Sequence, residues 1–161
     1  MHKLSRRAIH LFPVVLLAAA FGLVQAQAKP NFSGTWKENV SKSDHGPLPA
    51  PESDTHTITH EEPNLKINIA SSGQMGDMKY DIAYTTDGKE CTNSVNGNDF
   101  KSTVAWDGDA LVIDTKGKFG ETDFTAKDRW GLSEDGKTLT ITRHLTSAMG
   151  EADQKIIYEK Q

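Results

Sequence analysis

The segment MKYDIAYTTDGK, residues 78–89, decides the fold class. Its bulky apolar residues Met78, Tyr80, Ile82 and Tyr84 recur at every second position, and an Asp-Gly pair follows directly. Residues two apart share one face of a β-strand, so this alternation predicts a strand with one apolar face. The Asp-Gly pair predicts a tight hairpin turn in which both central residues have positive φ.

The same combination recurs along the chain. Asp-Gly pairs also occupy 107–108 and 135–136, and no window of eleven or more residues after residue 28 has the apolar spacing of an amphipathic helix. The proline-rich segment 40–54 predicts a loop that crosses one open end, as a mouth or a lid. Strands are predicted near 32–38, 55–61, 64–71, 78–86, 89–95, 99–106, 110–118, 121–131, 137–146 and 153–160.

The short connections between these segments make consecutive strands antiparallel neighbours. So many strands in one open sheet would leave long unpaired edges, and closing the sheet on itself removes them. We therefore predict an all-β fold, an up-and-down antiparallel β-barrel of about 8–10 strands. A two-layer sandwich is the alternative, but it normally needs longer connections between its layers.

The charge of the chain argues against nucleic acid as a partner. The formal net charge is −4, and the first 28 residues hold three basic residues, Lys3, Arg6 and Arg7, and no acidic one. The remainder therefore carries 15 basic against 22 acidic residues, a net charge of −7. Binding to a phosphate backbone needs clustered Lys and Arg. After residue 28 there is also no apolar run long enough to predict a membrane span.

The N-terminus has the pattern of a secretory signal peptide over residues 1–28. Its basic residues precede an apolar run from Ala8 to Val24, and small residues then allow cleavage after Ala26 or Ala28. We expect an exported protein, periplasmic or extracellular, with one β-barrel domain at 29–161. Cys91 is the only cysteine, so it is either a buried small apolar residue or a free thiol able to link two chains, and the oligomeric state stays open.

Polar side chains interrupt the predicted apolar faces. Arg143, Asp128, His56 and His60 all fall on such faces, where an unpaired buried charge costs several kcal/mol. In a hollow barrel, aromatic residues would line the walls, and Arg143 or a histidine would hold a polar or carboxylate head group. In a filled barrel, the aromatic residues would only pack, and Arg143 would pair with Asp128. The candidate ligand-binding residues are Arg143, Tyr80, Tyr84, Trp106, Trp130, Asp128, His56 and His60.

The opening of the predicted domain, Asn31-Phe32-Ser33-Gly34-Thr35-Trp36-Lys37, resembles the lipocalin and fatty-acid-binding-protein group of calycin β-barrels. Thr122-Asp123-Phe124 is similar to the second motif of that group, and the chain also resembles small secreted bacterial barrels of this type. The resemblance implies a structural signature of Gly34, Trp36 and Arg143. Trp36 would plug the closed end of the barrel, and Arg143 would lie across its ring.

Three classes of function follow from a barrel of this size. We favour binding of a small apolar or amphipathic ligand in the interior. The second class is a filled barrel with a structural or protein-interaction role. The third is a hydrolase or isomerase that uses an interior Asp and His, and no catalytic motif supports it. No catalytic residue and no cofactor is predicted. No metal is predicted either, because His56 and His60 lie about 13 Å apart along a strand, too far to bind one ion.

Overall fold

The computed structural model describes residues 29–74 and 76–161, so the predicted signal peptide lies outside the described residues. The described part of the chain contains no helix that could cross a membrane. It forms ten strands: β1 (Gly34–Glu38), β2 (Ser53–Glu61), β3 (Asn64–Ser72), β4 (Met78–Thr85), β5 (Glu90–Val95), β6 (Asn98–Asp107), β7 (Ala110–Phe119), β8 (Thr122–Leu132), β9 (Thr138–Ser147) and β10 (Gly150–Lys160).

The ten strands form one antiparallel sheet that curls into a nearly closed up-and-down barrel. Its order is β4-β3-β2-β1-β10-β9-β8-β7-β6-β5, so every pair of neighbours except β1 and β10 is consecutive in the chain. The predicted fold is therefore confirmed. Between β4 and β5 no backbone ladder forms in the described residues. The Asn93 side chain bridges this gap instead, because its amide donates to the Ala83 carbonyl at 3.0 Å and accepts from the Ala83 N–H at 2.8 Å.

The tight turns differ from the sequence prediction. In the three Asp-Gly pairs only the glycine has positive φ, with values of 77°, 64° and 65°. The carboxylates of Asp87 and Asp135 instead accept a backbone N–H two residues ahead, at 3.2 and 3.0 Å. Such Asx turns keep the aspartate at negative φ. Consecutive positive φ values occur at Asn96 (51°) and Gly97 (78°), between β5 and β6.

The apolar core fills one half of the barrel, at the end where β2–β3, β4–β5, β6–β7 and β8–β9 are connected. We call this the closed end. Phe32, Trp36, Leu65, Leu111 and Leu139 are fully buried there. The Trp36 indole N–H donates to the Phe32 carbonyl at 2.8 Å, so its polar atom is satisfied within the core. Trp36 is therefore part of the packed closed end.

The opposite end, which we call the open end, carries the segment 39–52 and the β3–β4, β5–β6, β7–β8 and β9–β10 turns. The segment 39–52 forms the predicted loop. It is tied to β10 by a two-way backbone pair between Asp44 and Lys155, with both N–H···O distances at 2.8 Å. The residues Pro49, Ala50 and Pro51 then lie over the interior. The loop therefore partly covers the mouth of the barrel.

Candidate ligand-binding cavity

A cavity of about 310 Å³ occupies the open half of the barrel. Inward-facing residues of β1, β2, β3, β4, β8, β9 and β10 form its wall, and the segment 39–52 and the β3–β4 turn form its rim. Ligand pockets usually measure about 300–1,000 Å³, so the space suits a small molecule.

Isoleucines from three strands make part of the wall apolar. The β3 residues Ile67 and Ile69 face the cavity together with Ile82 on β4 and Ile141 on β9. Each lies at an alternate position of its strand, as the period of two requires. These side chains can bury an apolar ligand body without any unpaired polar group.

The β8 and β9 side of the wall carries a buried ion pair. Arg143 donates from Nε and Nη2 to the two carboxylate oxygens of Asp128, at 2.7 and 2.6 Å. The two residues are direct partners across the β8–β9 ladder. Burial alone would lower the pKa of Arg143, but the negative charge of Asp128 and these hydrogen bonds raise it above its ordinary value. Three of the five guanidinium N–H donors remain free of Asp128.

Two tyrosines on β4 lie near this pair. Tyr80 and Tyr84 both line the cavity. Burial, followed by the charge of Asp54, raises the pKa of Tyr80. Burial, followed by the charge of Asp128, raises the pKa of Tyr84 to about 12. Both phenols therefore stay neutral near pH 7 and can donate or accept a hydrogen bond.

A second set of polar side chains lies near the rim. The Nε2 of His56 is 3.1 Å from Oδ1 of Asp54 and 3.2 Å from the Tyr158 hydroxyl. The Nε2 of His45, in the 39–52 segment, is 2.9 Å from Oε1 of Glu38. All five residues line the cavity. Burial, followed by the charges of Asp54 and Glu38, raises the pKa of Tyr158 well above its ordinary value.

The predicted signature requires one correction, because Arg143 does not cover Trp36. The cation over that indole is Lys160, whose Nζ lies 5.2 Å from the ring centroid. Lys160 is the direct cross-strand partner of Trp36, whereas Arg143 is held by the carboxylate opposite it on β8. Gly34 has φ of 139°, and a Cβ there would lie 2.6 Å from Cε of Lys160. The glycine therefore leaves room for the lysine to cross the closed end.

Two of the eight candidate residues lie outside the cavity. His60 and Trp106 are at the closed end, where both bond to the Glu62 carboxylate, at 3.1 and 2.8 Å. Thr86 also donates to Glu62. Burial opposes the change, but these hydrogen bonds lower the pKa of Glu62. His60 further accepts the Phe32 N–H at 3.3 Å, so this group holds the N-terminal segment against the closed end.

The other six candidates line the cavity, namely Arg143, Asp128, Tyr80, Tyr84, Trp130 and His56. Sequence reasoning missed Glu38, Asp54 and Tyr158 as members of the wall. Glu38 is two residues beyond Trp36, and Tyr158 is two beyond Ile156. Because residues two apart share a face of a strand, this spacing could have predicted that both face the interior. Within residues 29–74 and 76–161 no group of three or more His, Cys, Asp or Glu residues is arranged to hold a metal ion.

Comparison with known proteins shows a likeness of structure. No protein-family profile matches this sequence, and no curated protein sequence matches it. A secretory abundant heat soluble protein from Ramazzottius varieornatus aligns with a TM-score of 0.63 and 18% identity, over 84% of this chain and 98% of that one. The zebrafish ileal bile acid-binding protein complexed with cholic acid aligns with a TM-score of 0.53 and 17% identity, over 81% and 98%.

A fatty-acid-binding protein isolated from Manduca sexta also aligns, with a TM-score of 0.53 and 15% identity, over 80% of this chain and 99% of that one. At such low identity these matches establish the fold alone. The chain therefore shares the up-and-down barrel fold of these proteins, as the resemblance around Trp36 implied.

Proposed function

We propose that this chain is an exported protein whose barrel binds one small amphipathic molecule in the cavity at its open end. The observation that carries the proposal is the cavity itself, about 310 Å³ of space left unfilled although the closed end is tightly packed. Native protein interiors contain few voids larger than a water molecule. A space of this size with apolar and polar walls matches the usual dimensions and lining of a ligand site.

The wall predicts how the ligand lies. Its apolar body packs on Ile67, Ile69 and Ile82, where each buried methylene contributes about 0.8 kcal/mol. Its polar atoms can meet the free N–H donors of Arg143, the neutral phenols of Tyr80 and Tyr84, or the carboxylates at the rim. Structural neighbours support binding in a barrel of this shape, since two of them are by name a bile acid-binding and a fatty-acid-binding protein.

A fluorescence titration tests the binding. The probe is 6-propionyl-2-(dimethylamino)naphthalene, a neutral dye that brightens and shifts to the blue in apolar surroundings. We expect saturable enhancement at one dye per chain and its reversal by octanol. Native mass spectrometry of protein purified from its own host should also show a bound small mass.

A matched pair of variants locates the dye. Ile69 faces the cavity, and Lys66 is an exposed residue of the same strand. Ile69→Trp fills the cavity and should abolish the enhancement, whereas Lys66→Trp should leave it unchanged. Absence of both dye enhancement and a co-purifying mass would show a filled barrel instead. Retention of the signal in Ile69→Trp would show that the dye binds elsewhere.

Export rests on the pattern of residues 1–28 and has its own test. The full chain is expressed in a bacterial host, and the intact mass of the product is measured in the periplasmic and culture fractions. We expect a chain that begins at Gln27 or Lys29. An uncleaved chain in the cytoplasm would overturn the proposal of export and leave the binding proposal standing.

A further inference from the structure

Four titratable side chains meet at the rim of the cavity. Glu38 ends β1, His45 lies in the 39–52 segment, and Asp54 and His56 belong to β2. We call these four residues the acid–histidine cluster. The side chains of Glu38 and His56 are 2% and 9% exposed, and those of His45 and Asp54 are 11% and 17% exposed, so the cluster is largely buried although it borders the cavity.

The cluster does not satisfy its own hydrogen-bonding groups. Oε1 of Glu38, Nε2 of His45, Oδ1 of Asp54 and Nδ1 of His56 have no hydrogen-bond partner in the described residues. The two carboxylate–imidazole contacts of 2.9 and 3.1 Å are close, but their angles fall outside hydrogen-bond geometry. Buried polar atoms in native proteins are almost always paired. Oε1 of Glu38 and Oδ1 of Asp54 are therefore able to accept a hydrogen bond from a ligand that reaches the rim.

The charges that line the cavity also favour a cationic group. Its lining includes three carboxylates, Glu38, Asp54 and Asp128, and one guanidinium, Arg143. The charge of the guanidinium is already balanced by the Asp128 carboxylate, which accepts two hydrogen bonds from it. The cavity therefore has an excess of two carboxylates over fixed cations, and both belong to the acid–histidine cluster.

We propose that the polar group of the ligand is an ammonium, held at the rim by Glu38 and Asp54. This inference rests on the proposed ligand binding and specifies the class of ligand. An ammonium has three N–H donors and no acceptor, which complements oxygens that can only accept. A carboxylate head group would face the same two oxygens with like charge. The ligand is then an amphipathic amine with its apolar body against the β3 and β4 isoleucines.

Three probes with the same apolar body separate the possibilities. Octylamine, octanol and octanoate are titrated into the protein at pH 7 by isothermal titration calorimetry, and each is also tested as a competitor of the neutral dye. A charge-assisted hydrogen bond is roughly twice as strong as a neutral one. We expect octylamine to bind about tenfold or more tighter than octanol, and octanoate to bind weakest.

Isosteric variants test the residues. Glu38→Gln and Asp54→Asn each remove one charge and keep the shape, so each should weaken octylamine about tenfold and leave octanol unchanged. Glu121→Gln is the control, because Glu121 is an exposed carboxylate in the β7–β8 turn at the same end of the barrel. It should change neither affinity. If a cluster variant does not fold, amide shifts of the wild-type protein with octylamine should still map to residues 38, 54 and 56.

The outcomes distinguish the two proposals. If none of the three probes binds and the dye stays dark, the proposed ligand binding fails and the choice of ligand class falls with it. If octanol or octanoate binds as tightly as octylamine, ligand binding stands and the ammonium is refuted. Amide shifts caused by octylamine that map to surface carboxylates outside the cavity would refute the ammonium site as well.

Discussion

Replacing Asp128 with asparagine is expected to destabilise the barrel by about 2 kcal/mol. Removal of one partner of a fully buried ion pair costs about 3–5 kcal/mol, because the other charge stays buried and unpaired. The side chain of Asp128 is 9% exposed, but that of Arg143, which lines the cavity, is 33% exposed. Cavity water can therefore solvate part of the guanidinium, which places the expected cost below that range. Asparagine also offers one acceptor oxygen where the carboxylate offered two.

Thermal unfolding followed by circular dichroism measures this change. For a domain of about 130 residues, 1 kcal/mol corresponds to roughly 3–4 °C, so Tm should fall by about 7 °C. Asp107→Asn is the matched control, because it breaks a pair with Arg129 that is 71% and 49% exposed. Surface pairs are worth about 0–1 kcal/mol, so this control should lower Tm by less than about 4 °C.

A double variant completes the test. Asp128→Leu with Arg143→Met replaces the buried pair by apolar groups and should recover most of the stability lost in Asp128→Asn, because no unpaired charge remains. If Asp128→Asn and Asp107→Asn have the same small effect, the pair is solvated and the reasoning is wrong. A double variant that is less stable than Asp128→Asn would contradict it equally.

Two further predictions concern the tyrosines and two strand glycines. All three tyrosines, Tyr80, Tyr84 and Tyr158, have a pKa raised above 10.0, chiefly by burial. Phenolate absorbance should therefore stay low in the folded protein at pH 10, and its appearance there without unfolding would contradict the prediction. The buried phenols keep protons that they lose in the unfolded state. Their contribution to the free energy of unfolding is therefore complete below pH 10 and falls as pH rises toward about 12. Gly117→Ala should cost about 1–3 kcal/mol in urea unfolding, because a Cβ there collides with the Phe100 ring. Gly131→Ala, which has open space, should cost almost nothing, and equal losses would disprove the collision.

The strands and their facing could be predicted from the sequence because both depend on local chemistry. Alternation with a period of two placed His56, Asp128 and Trp130 inside the barrel, where the structure has them. Short turns made sequential pairing the simplest topology, and all ten strands begin and end within three residues of the predicted bounds. The prediction of positive φ at both residues of the Asp-Gly turns was wrong, because the aspartate side chain competes with the backbone for the same N–H groups.

Only the tertiary structure decided which side chains meet across the barrel. Lys160 and not Arg143 covers Trp36, because the β1–β10 register brings that lysine opposite the indole. Alternation placed Arg143 and Asp128 on inward faces and left two arrangements open, a pair or a ligand contact. The structure shows the pair beside a cavity that is still unfilled. The sequence carries the period of each strand, whereas the diameter of the barrel and the contacts between distant strands follow from how the whole sheet closes. That closure leaves the space at the open end and brings Glu38 and Asp54 to its rim.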